Sequence, residues 1–324
     1  MEPPVRDCQN PLRSGFGPWT TASEVVSGLD LTGRYVVVTG GHSGLGLETT
    51  RVLAAAGADV LVAARNPVAA AAATQGIGRV TVAVLDLADL ASVKDCAERL
   101  LADGRHIDML INNAGLMACS ETRVGPGWEA QFATNHLGHF ALTVHLWPLL
   151  AGGARVVCVS SAGHHISGLC WNDVHSVSAY DKWRAYGQSK TANVLFAVQL
   201  DRLGRQCGVR AFALHPGKIF TSLQRHLSRA EMTAQGWLDH DGRPADPTFK
   251  TPEQGAATQV WAATAPRLDG LGGVYCEDCD IAVRAERTAA PFVGVRSYAT
   301  DPDAAARLWA LSAELAQVEL SNVG

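Results

Sequence analysis

The sequence predicts an α/β fold: a single domain built on a seven-stranded parallel sheet, doubly wound, with helices on both faces. Three observations predict it. From Tyr35 onward, short β-branched runs alternate with longer Ala- and Leu-rich helical stretches, the pattern of a parallel sheet buried on both sides. The 324 residues, 47% of them hydrophobic, suffice for one large core. A glycine-rich turn joins the first apolar strand to a helix through Thr39, Gly40, Gly41, His42, Ser43, Gly44, Leu45 and Gly46.

In chain order, residues 1–28 read as an N-terminal extension and residues 29–320 as the domain. Residues 1–19 are rich in Pro and polar side chains and lack the apolar run of a signal peptide or membrane anchor, which implies a cytoplasmic protein. Strands are expected at 35–39, 59–64, 79–85, 109–111, 154–159, 209–214 and 273–276, with helices between them. The Ala tracts at 54–56 and 69–73 are helical, because Ala is the best helix former and its small side chain lets a helix sit close to a sheet. Residues 218–250 lose the strand rhythm and gather Gly, Pro, His and a Trp, which reads as a substrate lid. Asp301, Pro302 and Asp303 start an amphipathic closing helix through Leu308, Leu311 and Leu315. There is no internal repeat and no linker between two domains.

Composition excludes several classes. The net charge is -4 with the two signs interspersed, so no basic stripe is available for nucleic acid. Eight cysteines scattered without regular spacing read as small buried residues of a reducing compartment. Cys276 and Cys279 form a lone C-x-x-C with no second pair and no His at finger spacing, so neither zinc nor redox chemistry is expected. His136 and His139, three apart on one helix, lack an acidic or third His partner, and no metal is expected there.

The glycines between strand and helix permit a tight turn and let backbone amides and the helix dipole meet a pyrophosphate. Further along, Tyr186 and Lys190 stand four apart in a helical stretch, so both side chains lie on one helix face. The pairing has a chemical reason. A free tyrosine has a pKa of about 10, too high for ready proton exchange near neutrality, and a neighbouring ammonium lowers it.

Together the T-G-x-x-x-G-x-G turn and the Y-x-x-x-K pair resemble the short-chain dehydrogenase/reductase superfamily. The resemblance extends to Asp86 and Leu87 after the third strand, to Asn112, Asn113, Ala114 and Gly115 after the fourth, and to Pro216 and Gly217 after the sixth. It implies a Rossmann fold binding a nicotinamide dinucleotide through Gly40, His42, Ser43, Gly44, Leu45 and Gly46. Asp86 and Leu87 would meet the adenine, Asn113, Ala114 and Gly115 would flank the cofactor, and Pro216 and Gly217 would border the nicotinamide. Tyr186 becomes the acid/base, and Lys190 also holds the nicotinamide ribose. Val159 to His165 (V-S-S-x-x-H-H) is similar to the retinol dehydrogenase-like branch, in which the second serine acts, so Ser161 is chosen over Ser160. Asn135, within T-N-H-L-G-H-F, matches the helix Asn that holds a water linking Lys190 to solvent, which completes a tetrad.

An acid at the end of the second strand would bind ribose hydroxyls and repel a 2'-phosphate. Ala64 stands there, followed by Arg65 and Asn66, so NADP(H) is the expected cofactor. The reaction implied is reversible hydride transfer between nicotinamide and a small lipophilic ketone, aldehyde or secondary alcohol. The alternatives are reduction of a conjugated C=C bond, since the pattern also resembles protochlorophyllide reductases, and a non-catalytic dinucleotide-binding regulator. His164, His165 and His215 are expected at strand ends near the cleft, and Trp171, Trp183 and Trp237 are candidates for an apolar substrate wall or for core. A homodimer paired through the helices that carry Asn135 and Tyr186 also follows from the resemblance.

Overall fold

The computed structural model describes residues 8–288 and 290–320. Its central sheet runs β1 (Tyr35–Thr39), β2 (Asp59–Ala64), β3 (Val80–Val84), β4 (Met109–Asn112), β5 (Arg155–Val159), β6 (Arg210–His215), β7 (Val274–Glu277) and β8 (Asp280–Ile281). In space the order is β8-β7-β6-β5-β4-β1-β2-β3. β1 pairs in parallel with both β2 and β4, so the winding reverses between β1 and β4. Ligands of open α/β sheets bind at that crevice, outside the carboxyl ends of the strands.

Alternate residues of each strand feed two cores. Val37, Leu110, Val156 and Ala211 face α3 (Leu90–Asp103), α4 (Gly138–His145) and α5 (Lys182–Gly204). Val36, Val38, Ile111, Val157 and Phe212 face α1 (Gly44–Ala55), α2 (Pro67–Ala73) and α6 (Ala257–Thr264) on the other side. Every interior strand position is therefore apolar, which is why the runs were conspicuous.

The expected seven parallel strands are present, but the count needs correction, because β8 adds an eighth strand, antiparallel to β7. Asp278 and Cys279 close this hairpin with φ of 51° and 60°. A two-residue turn with left-handed φ at both positions normally announces itself by Asn-Gly or Asp-Gly, and a two-residue strand has no alternation to read. The hairpin also accounts for the C-x-x-C. Cys276 lies in β7, Cys279 in the turn, and both are buried free thiols.

The described part of the N-terminal extension is tied across the sheet edge. Gln9 Nε2 donates to the carbonyls of Tyr275 and Ala282 at 2.8 and 2.7 Å, and its Oε1 accepts from Tyr275 N at 2.9 Å. Residues 218–250 are anchored at their base, where Lys218–Ile219 pairs in parallel with Phe249–Lys250. The closing helix, α7 (Pro302–Ala316), starts at the Asp301 cap and lies across α4 and α5. Trp309 meets Phe140 and Phe196 at 4.9 and 5.9 Å between ring centres, and Ser312 hydrogen-bonds His136 at 2.7 Å. The chain's own C-terminal helix thus packs on one side of the helices through which pairing was expected. Among the described residues no helix is long and apolar enough to cross a membrane.

Candidate active site

A cleft of about 1190 Å³ opens at the carboxyl ends of the strands. Its wall includes Gly40, His42, Ser43, Gly44, Leu45, Gly46, Arg65, Asp86, Leu87, Asn113, Ala114, Gly115, Ser161, Tyr186, Lys190, Pro216 and Gly217. Of the residues expected to act in catalysis or to bind the cofactor, all save Asn135 reach this one cavity.

At its first end the chain turns at Gly40 (φ 65°), and a Cβ on Gly46 would stand 2.4 Å from the Gly40 carbonyl oxygen and 2.6 Å from Asn113 Nδ2. Only glycine lets the turn close. Ser43 caps α1 by position but makes no side-chain capping bond, whereas Asn66, Asp89 and Asp181 do cap α2, α3 and α5. The first-turn amides of α1 are therefore free to meet an anion from the cleft. This fits the pyrophosphate of a dinucleotide. Arg65 is exposed at the cleft edge and has no ion-pair partner among the described residues. Asn66 Oδ1 accepts from Ala69 N at 3.0 Å, so only its amide protons face outward.

Asn135 lies beneath the cleft wall and is fully buried, in a short π-helical segment, Ala133–Leu137, that precedes α4. Its Oδ1 accepts from Leu116 N at 2.7 Å, and its Nδ2 donates to Leu116 O and to Ser189 Oγ, both at 2.9 Å. Its carbonyl accepts from His139 Nδ1 at 3.0 Å. The residue clamps the turn after β4 to α5.

Tyr186 and Lys190 share one face of α5, as their spacing predicted, and both are buried. Lys190 Nζ donates to Val159 O at 3.0 Å and stands 5.7 Å from the centre of the Tyr186 ring. Burial holds the Tyr186 phenol up to about 12, and the Ser161 hydroxyl pulls it back in part. Burial also brings the Lys190 ammonium down to about 8. The expectation that Lys190 lowers the tyrosine is not met in this arrangement: desolvation disfavours the charged form of both groups, and the ammonium is engaged by a carbonyl. Ser160 Oγ is committed to the Lys190 carbonyl at 2.7 Å, while Ser161 Oγ accepts from Gly163 N at 3.0 Å and keeps its proton for the cleft.

The histidines separate by partner. His139 Nδ1 donates to a carbonyl, so its Nε2 accepts from Thr39 Oγ1 at 2.8 Å, and burial holds its pKa near 4. Burial likewise lowers His136 to about 3, and its Nε2 meets Ser312. His164 Nδ1 donates to Ser161 O at 2.7 Å and its Nε2 accepts from Arg296 N at 3.2 Å, a neutral ring that holds the Ser161 loop. His165 bonds Gly294 O at 2.9 Å, and His215 lines the cleft. Trp183 and Trp237 line it too, edge to face at 6.2 Å, whereas Trp171 packs elsewhere under Arg307 at 4.3 Å.

Thr221 and Lys250, within the stretch expected as a lid but not singled out there, and Glu277, which sequence reasoning missed, also form the wall. A Cβ on Gly44 would stand 3.2 Å from Thr221, so residues 218–250 touch the glycine turn. No local motif announces such a contact.

Comparison with known proteins identifies the family. The family model described as short chain dehydrogenase matches residues 34–232. A "Probable oxidoreductase" of Streptomyces lividans is 47% identical, the match covering 88% of this chain and 98% of that one. Human "Retinol dehydrogenase 12" is 38% identical over 89% of this chain and 87% of its own. Among solved structures, an uncharacterized protein from Mycobacterium paratuberculosis superposes with TM-score 0.70 at 34% identity, covering 93% of this chain and 99% of that one. The Pseudomonas aeruginosa RhlG/NADP active-site complex superposes with TM-score 0.59 at 26% identity, covering 76% and 95%.

Proposed function

The chain belongs to the short-chain dehydrogenase/reductase family, and from that premise we propose that it is an NADP(H)-dependent oxidoreductase acting on a lipophilic ketone, aldehyde or secondary alcohol. One observation carries the reading: a single cleft joins the uncapped start of α1 and the unpaired Arg65 to the Ser161, Tyr186 and Lys190 group. Arg65 favours NADP(H) because a guanidinium pairs with a 2'-phosphate, and Ala64 offers no carboxylate to repel it. An NADP complex of a relative with the same fold supports the choice.

When bound, the cofactor supplies the hydride at nicotinamide C4 and, once oxidised, a positive ring charge that favours the phenolate. The chain's own residues do the rest. In reduction, Tyr186 donates its phenol proton to the carbonyl oxygen as negative charge develops there, and Ser161 Oγ donates a second hydrogen bond to the same oxygen. Lys190 holds the cofactor ribose and stabilises the phenolate left on Tyr186. Asn135 positions the turn after β4 and supports a water route that returns the proton. Oxidation runs the same steps backwards. Trp183, Trp237 and the lid, residues 218–250, exclude water from the substrate.

The eight unpaired cysteines support a reducing, cytoplasmic setting. The reading is tested with Tyr186→Phe, which keeps the ring packing and removes the proton. NADPH binding should persist while turnover of a carbonyl panel falls roughly 100-fold or more. A Phe variant with undiminished turnover overturns it.

A further inference from the structure

The cleft continues past the tyrosine toward the sheet edge. The cofactor motifs sit at the ends of β1, β2, β3, β4 and β6, whereas Glu277 ends β7, beyond Pro216 and Gly217. Its Oε2 accepts from Gly294 N at 2.9 Å, and its other oxygen has no protein partner among the described residues while the side chain lines the cavity. The Lys250 ammonium, which acts on it through charge, is bonded to Asp278 at 2.6 Å. Directly across the parallel register stands His215, which lines the same cavity and whose Nε2, unlike its buried Nδ1, is accessible and has no protein partner among the described residues. An acceptor and a ring nitrogen on neighbouring strands thus line one cavity. Aromatic rings also line the cavity, Phe292 on the His165 ring at 5.7 Å and the Trp183 and Trp237 pair, together with Lys218, Lys250 and Asp278.

We propose that Glu277 and His215 form a second polar subsite that holds a hydroxyl group of the substrate away from its reacting carbonyl. A hydroxyl donates one hydrogen bond and accepts another, which matches a carboxylate oxygen beside an imidazole in its Nε2–H form. The substrate is then an aromatic or alicyclic carbonyl carrying at least one hydroxyl. The inference rests on the oxidoreductase reading for its carbonyl alone; the subsite itself is a binding claim.

The pH dependence follows from the groups that face Glu277. Burial raises its carboxyl to about 7. His164 and His215 are held near 3 and His165 below its usual value, all by burial, so these rings stay neutral above pH 6.5. Lys250 pairs with Asp278, and Lys218 with Asp246 at 2.5 Å. Between pH 6 and 8 the carboxyl ionises, and its anion accepts the stronger hydrogen bond; Lys190, near 8 in the same cleft, also begins to lose its proton, and the parent ketone, which lacks the hydroxyl, controls for it.

The test is a calorimetric titration of the full chain with 1-tetralone and with its ring-hydroxylated isomers at pH 6 and pH 8. At least one hydroxylated isomer should bind roughly tenfold tighter than the parent, and its advantage should grow from pH 6 to pH 8. Glu277→Leu should abolish the advantage without weakening the parent ketone. Glu277→Gln keeps a carbonyl oxygen for Gly294 N, so the fold is retained, and the pH dependence should vanish. Equal affinity for parent and all isomers in the wild type overturns the proposal, as does an unchanged advantage in both variants. NADPH consumption with the parent ketone, measured in parallel, separates the two readings: its absence with intact hydroxyl preference sinks the oxidoreductase reading alone.

Discussion

Replacing Arg65 by Ala isolates cofactor choice from folding. The guanidinium is exposed, makes no ion pair among the described residues and lies on the cleft edge, so nothing in the fold depends on it. Asn66 would be a poor probe, because its side chain caps α2 and losing the cap costs about 1 kcal/mol on its own. A hydrogen-bonded contact between guanidinium and phosphate contributes about 1.5–3 kcal/mol, and exposure at this edge argues for the lower half of that range. At about 1.4 kcal/mol per tenfold, Arg65→Ala should weaken NADP roughly 10- to 30-fold and leave NAD within about twofold. Titration of wild type and variant with both cofactors reads the difference directly. The loss should shrink at high salt, because the contact is screened there. If both cofactors weaken equally, or if the wild type prefers NAD, the argument from Ala64 and Arg65 is wrong.

The remaining predictions concern stability. His136, His139, His164 and His215 are held near 3, 4, 3 and 3 in the folded chain, below the unfolded value of about 6.5. A lowered folded pKa contributes stability that is present above pH 6.5 and lost as pH falls toward 3, each histidine by at most about 1.4 kcal/mol per pH unit. Glu277, raised to about 7, acts in the opposite sense between pH 7 and 4.5, but it is one group against four. Chemical denaturation should therefore show a clearly lower midpoint at pH 5.5 than at pH 7.5, and equal midpoints contradict the buried neutral assignment. Trp309→Ala removes a ring that meets Phe140 and Phe196, and a half-buried Trp at such a contact should cost about 2–3 kcal/mol. A loss under about 0.5 kcal/mol would show that α7 is not held to α4 and α5 as described.

What was legible in the sequence follows from what is local. Buried parallel strands must be apolar runs, so β1, β2, β5 and β6 stood out, whereas the two residues of β8 carry no period and its Asp278-Cys279 turn lacks a glycine. The glycine turn and the Tyr186–Lys190 pair are contiguous motifs, and geometry brings both to one cavity. Glu277 and Lys250 reach that cavity only through β7 and the base of residues 218–250, contacts that no spacing encodes. The burial that raises Tyr186 could not be read from the sequence: a charge neighbour four residues away is visible there, but the desolvation of both groups is not.

Polar bonds, more than apolar packing, place the reacting group. Thr39, at the end of β1, accepts from Asn113 N and Ala114 N at 2.9 and 3.0 Å and donates to His139 Nε2. His139 passes the chain to the Asn135 carbonyl, Asn135 to Ser189, and Ser189 Oγ to the Tyr186 carbonyl at 2.8 Å. Each link uses a donor and an acceptor once, and His139 must be neutral to accept from Thr39 while donating to Asn135. With its pKa near 4, it stays neutral through the physiological range. The strand that carries the glycine turn and the helix that carries the tyrosine are thereby held in one register by directional bonds, which tolerate less drift than apolar contacts between the same elements. A side chain such as Val packs at position 139 but bonds neither neighbour, so it would break the one link between the Thr39 hydroxyl and the Asn135 carbonyl and loosen the two halves of the cleft together.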